Sequence, residues 1–143
     1  MENQERLIMG VVLTYTLLLL PVMVHMAFDI HKRYTGHPIR HWASALIAVF
    51  VSVLMGFLDA LVNGVAAWQF AFYALSVHFA FFDLFWNWYH GHVWHYNGDP
   101  KNPDRAWTDK MWDYVPVYAQ PFVRAWVLAV GWSFYYRLDW IIG

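Results

Sequence analysis

LIMGVVLTYTLLLLPVMVHMAF, residues 7–28, runs the thickness of a bilayer without one charged side chain. A hydrocarbon slab of about 30 Å needs roughly 20 apolar residues as a helix, so this stretch predicts a transmembrane helix over residues 7–30. It is too long for a signal-peptide core, no basic leader precedes it and no small-residue cleavage site follows, which predicts a retained span. Three more apolar runs lie downstream, at 42–62, 65–90 and 117–138, the last interrupted by Arg124. The expected fold is all-α: one polytopic domain, residues 1–143, of four transmembrane helices. Asn63 and Gly64 leave only a tight link between the second and third, making them an antiparallel hairpin.

Composition points the same way. Of 143 residues, 60% are hydrophobic, 21% aromatic and 13% charged, with ten tryptophans, a balance that one soluble core of this size could hardly hide. The bilayer is thus the first expected partner. There is no cysteine, which removes disulfide and thiolate chemistry. A net charge of −1 argues against nucleic acid. The chain has no nucleophile motif, phosphate-binding glycine loop or zinc-protease signature, which disfavours acyl transfer and nucleotide hydrolysis.

Seven of the nine basic residues fall at one end of the predicted helices: Lys32, Arg33, Arg40, Lys101, Arg105, Lys110 and Arg124, with only Arg6 and Arg137 opposite. Positive charge marks the cytoplasmic side, so both termini are expected outside. The polar residues collect at the same cytoplasmic ends. His25, Asp29 and His31 close the first helix; His37 and His41 lead into the second; His78, Asp83, Asn87 and His90 descend the third; His92 and His95 follow. Asp83, Asn87 and His90, spaced four and three apart, share one helical face. Pro21, four residues before His25, should free the carbonyl of Leu17 and bend the first helix.

Imidazole is the commonest transition-metal ligand and carboxylates complete or orient such shells. Eight histidines (His25, His31, His37, His41, His78, His90, His92, His95) are therefore candidate ligands. HPIRH (37–41) and HVWH (92–95) resemble fragments of the histidine boxes of membrane di-iron hydroxylases and desaturases, a likeness that implies iron-dependent, oxygen-consuming oxidation of lipid chains. No adjacent His-His pair is present, and the boxes cover under a tenth of the chain. His25 and His78 are similar to the bis-histidine haem anchors of respiratory membrane subunits, which implies haem. The alternative is that these are interfacial rings with one wet edge, for which histidine and tryptophan are both suited.

The carboxylates read as structural. Asp83 and Arg124 lie at equal depth on the third and fourth helices, which predicts a buried ion pair. Asp59, near the other face, has Arg137 and Arg6 as expected partners, and it shares a stripe with Ser52, Gly56 and Asn63 whose small members invite close helix packing. Asp83, Asn87, His90, Arg124 and Asp59 thus form the expected structural polar core. In the third loop, Asn97-Gly98-Asp99-Pro100 and Asn102-Pro103 are turn signals. Asp104 then caps a short segment, 104–115, placing Trp107, Met111 and Tyr114 on one face. That segment either lies on the inner leaflet as an interfacial helix or folds back as a lid over the histidines.

RHWASALI (40–47), FDLFWNWYHG (82–91), WHYNG (94–98) and DRAW (104–107) occur in an order that resembles small uncharacterised polytopic membrane proteins of bacteria and bacteriophages, over about half the chain. The resemblance implies a bacterial inner-membrane protein with Asp83, Asn87 and His90 as its central polar element, and implies no activity. Two main classes of function follow. One is a non-enzymatic accessory subunit, assembly factor or phage-encoded envelope modifier, working with other membrane subunits or a second copy of itself. The other is a metal- or haem-dependent membrane oxidoreductase. Proton or ion transport through the Asp and His residues is a third.

Overall fold

Helix forms where the apolar runs predict it. The computed structural model describes residues 2–36, 41–99, 101 and 107–142, with side chains placed for all of these except 2, 3, 6, 7, 41, 107 and 137–142. Every regular element among them is helical: α1 (Glu2–Tyr34), α2 (His41–Asn63), α3 (Ala67–Tyr89), the single-turn α4 (Trp107–Trp112) and α5 (Gln120–Ile142), the last led in by a 3-10 turn at Val117–Ala119. Two stretches are long and apolar enough to cross a membrane, Ile8–Tyr34 within α1 and Trp42–Asn63 within α2.

The boundaries differ from the sequence reading in instructive ways. α1 extends further at both ends because polar residues at helix ends cost nothing when water can reach them. Pro21 does not interrupt it. α3 starts two residues later than expected because Gly64 takes a left-handed φ of 70° and Ala66 is extended at φ −61°, ψ 131°. The Ala66 N–H is then accepted by the Gln69 side chain at 3.2 Å, which closes one free donor at the start of α3. α5 begins at Gln120 because Pro116 and the 3-10 turn use up the preceding residues. Gln120 donates back to the carbonyls of Val115 at 3.3 Å and Trp112 at 3.5 Å.

α3 is the central helix and packs against α1, α2 and α5. The core gathers Leu17 and Leu18 of α1, Met55 of α2, Phe70, Tyr73, Ala74 and Val77 of α3, and Tyr135 of α5. Small residues set the distances. A Cβ on Gly56 would overlap the backbone carbonyl of Ala67, and one on Gly131 would come within 2.5 Å of the Ser76 hydroxyl. The stripe Ser52, Gly56, Asp59 and Asn63 is therefore a packing seam, with Ser52 folded onto the Ala48 carbonyl of its own helix at 2.8 Å.

The outside of this bundle is apolar. Leu61 is 83% exposed, Phe122 75% and Trp126 68%, while Thr14, His25, Asp29, Ser44, Asp59, Asn87 and Arg124 are buried. Because the carbonyl of Ala67 cannot yield as a flexible side chain would, Gly56→Ala should lower unfolding stability by about 1–3 kcal/mol. A thermal melt in detergent measures it.

Candidate functional site

Three sets of polar contacts cross the bundle. At the Asn63 end of α2, Asp59 is wholly buried. Its Oδ1 accepts from the Thr14 hydroxyl at 3.1 Å and from the Asn63 amide at 2.6 Å, and its Oδ2 accepts from the Tyr135 hydroxyl at 2.9 Å. Asn63 also donates to Thr14 at 3.0 Å. Three neutral donors from three helices thus surround the carboxylate. The expected partners Arg6 and Arg137 have side chains outside those described. Thr14 was missed from the sequence, although it opens the buried face of α1 that continues through Leu18, Val22, His25 and Asp29 at helical spacing.

Deeper along that face comes a linked chain of side chains from α1, α2 and α3. The Ser44 hydroxyl donates to Asp29 Oδ1 at 2.6 Å. Asp29 Oδ2 lies 3.3 Å from His25 Nε2 one turn earlier on the same helix. His25 Nδ1 meets His78 Nε2 at 2.8 Å, with the two rings parallel to within 2°. Phe82 stacks on His25 at 4.0 Å. His78 and Phe82 line a cavity of about 240 Å³ walled mainly by apolar atoms, between α2 and α3, with Asp83 and Thr108 also on its wall.

The third set confirms the predicted ion pair. Arg124 Nη2 stands 3.6 Å from Asp83 Oδ2, and Nη1 donates to the Ala80 carbonyl at 2.7 Å. Trp112 completes it: its indole N–H donates to the same Asp83 oxygen at 3.0 Å, and the guanidinium sits 4.3 Å over its ring. Trp112 is 1% exposed whereas Tyr114 is 88% exposed. α4 therefore packs on the bundle through Trp112, not through the face containing Tyr114. Asp104, the expected cap, lies outside the described residues. The sequence signal for Trp112 was masked by equally spaced aromatic neighbours.

Asp83, Asn87 and His90 do not act as one centre. Asn87 donates to the carbonyls of Trp94 at 3.2 Å and Tyr96 at 2.9 Å, tying down the loop after α3. His90, beyond the end of α3, places Nε2 3.4 Å from Arg33 Nη1. Its pKa is lowered by desolvation, then by the Arg33 charge, then by His92. His92 packs on Tyr96 with its ring 6.1 Å from that of His90, His31 is exposed, and His95 lies against Trp94. His37 and the His41 side chain lie outside the described set.

Of the eight candidate metal ligands, then, the structure brings His25 and His78 into direct contact. No three His, Asp or Glu side chains among the described residues are placed to hold a metal ion, so these residues do not compose a di-iron shell. Haem does not fit between His25 and His78 either. Axial ligands must aim their lone pairs at an iron between them, whereas these two nitrogens share a hydrogen bond.

Two predictions follow from these contacts. Removing either member of Asp83–Arg124 strands the other in a buried setting and should cost about 3–5 kcal/mol, while Asp83→Leu with Arg124→Met should cost clearly less than the two single changes summed, as a double-mutant cycle of thermal melts will read. His90 should titrate below the ordinary value of about 6.5, so its neutral contact with Arg33 is complete above that value and is lost as pH falls below it; Arg33→Gln should move the NMR-monitored midpoint upward. The chain matches no protein-family model, no curated protein and no solved structure.

Proposed function

We propose that the chain is a four-span helical protein of a bacterial inner membrane, host or phage encoded, that serves as a non-enzymatic accessory or envelope component beside other membrane subunits or a second copy of itself. The observation that carries the reading is the inverted distribution of side chains. Large apolar residues such as Leu61, Phe122 and Trp126 stand exposed while Asp59, Asp29 and Arg124 are buried. A soluble monomer rarely exposes contiguous apolar surface beyond a few hundred Å², and in hydrocarbon the interior is where polar groups belong.

α3 and α5, each of 23 residues, match α2 in length, and a span of roughly 20 residues suffices. The ion pair between them offsets one charge on each of these two helices. An accessory role is supported by how the polar groups are used: Asp59, Asn87 and Arg124 are committed to bonds between helices or to the loop after α3. With Lys32, Arg33, Lys101 and Lys110 at one end, that end is cytoplasmic, and α4 sits there, packed on the bundle through Trp112.

Because the chain has no cysteine, single cysteines report topology without background. Cysteines replacing Thr35 or Asp99 should react with an impermeant maleimide only from the cytoplasmic side, and one replacing Gly64 only from the opposite side. Labelling of Gly64→Cys and Asp99→Cys from the same side would overturn the four-span arrangement.

A further inference from the structure

The cavity between α2 and α3 ends on a chain of groups that the accessory role does not use. Asp29 sets its sense. An anionic oxygen 3.3 Å from His25 Nε2 favours the tautomer with its proton on that nitrogen, because a lone pair there would face negative charge. With His25 neutral, its Nδ1 is then an acceptor, and the 2.8 Å contact is donated by His78 Nε2–H. That leaves a lone pair on Nδ1 of His78, a residue lining the cavity, with no hydrogen-bond partner among the described residues. Ser44 fixes the other end by donating to Asp29 at 2.6 Å. Donors thus run in one direction, from His78 toward Asp29, and the acceptor is left on the residue that lines the cavity.

Asp83 is on the same wall. Its Oδ2 is taken by Trp112 and Arg124, so its charge is already balanced and it gives a cationic ligand little extra attraction. The site accordingly suits a neutral hydrogen-bond donor.

Size and shape narrow it further. An apolar cavity of about 150 Å³ takes up benzene, so about 240 Å³ holds one ring with alkyl substituents. Phe79 and Phe82 supply flat walls, Ala45 and Ala48 leave the room, and Val49, exposed on the outer surface of α2, stands at the rim. A ligand reaching this opening through hydrocarbon has to be lipid-soluble.

We propose that this cavity binds a lipid-soluble phenol, with the ring between Phe79, Phe82 and the alanines of α2 and the hydroxyl donating to Nδ1 of His78. His25, Asp29 and Ser44 act as positioning residues that hold His78 in the accepting tautomer. The inference rests on the membrane reading only for how the ligand arrives; the site itself is tested in micelles, separately from the topology.

The experiment is calorimetric titration of the full chain in detergent at pH 8 with thymol and with thymol methyl ether, each corrected for empty micelles. The ether keeps ring and alkyl groups but has no O–H. Losing one hydrogen bond to a buried acceptor corresponds to about a tenfold change in affinity, so thymol should bind about tenfold more tightly than its ether. His78→Phe, which keeps a ring in place, should bring the two to equal affinity, and Asp29→Asn should narrow the gap. Equal binding of thymol and ether to the unaltered chain, or no binding of either, overturns the proposal. So does a folded His78→Phe protein that still prefers thymol. Should that variant fail to fold, the comparison on the unaltered chain decides alone.

Discussion

A completely buried carboxylate, held by neutral donors from three helices, constrains everything around it. Asp59 is held by hydroxyls of Thr14 and Tyr135 and the amide of Asn63, donors that belong to α1, α5 and α2. Desolvating a charge costs several kcal/mol unless hydrogen bonds replace its water, so those three helices have one relative placement that satisfies it. α3 fills the space they leave, with Phe70, Tyr73 and Ala74 in the core, and its crossings with α2 and α5 are as close as Gly56 and Gly131 permit. The other polar contacts inherit their alignment from this arrangement.

The three polar sets of the bundle do different work. Asp59 orders one end. Asp83, Arg124 and Trp112 order the other and attach α4, which is too short to be stable by itself since isolated helices need about 12–15 residues. Beside Asp83, the Ser44, Asp29, His25 and His78 chain joins α1, α2 and α3. Its series of bonds terminates at His78, on the wall of the cavity.

The helices and the Asp83–Arg124 pair could be read from the sequence because both depend on one-dimensional quantities, the length of an apolar run and the depth of a charge within it. The meeting of His25 with His78 was harder to read. Counted from helix ends their depths differ, and only the offset between α1 and α3, set by side-chain packing, brings them level. Trp112 was hidden for a related reason: helical periodicity offered the face with Tyr114 equally well, and nothing local shows which face meets Asp83. The neutral donors to Asp59 were missed because charge seeks opposite charge in a sequence-based argument, whereas hydroxyls and amides also satisfy a buried carboxylate. Among the described histidines, gathering at one end of the helices did not mean a shared centre, since His90 meets Arg33, His92 packs on Tyr96, His95 lies against Trp94 and His31 is exposed.

The ion pair has a further consequence for how the molecule is made. α3 leaves the ribosome well before α5, and synthesis of the intervening loop takes seconds. Throughout that interval Asp83 has neither the guanidinium of Arg124 nor the indole of Trp112, and a lone carboxylate opposes insertion of an otherwise apolar segment. In the four-span arrangement α3 therefore either waits at the interface or crosses with Asp83 protonated, and is secured only when α5 delivers its arginine. In that proposed arrangement α5 completes the helix at the centre, and a chain cut short before α5 leaves Asp83 without its arginine.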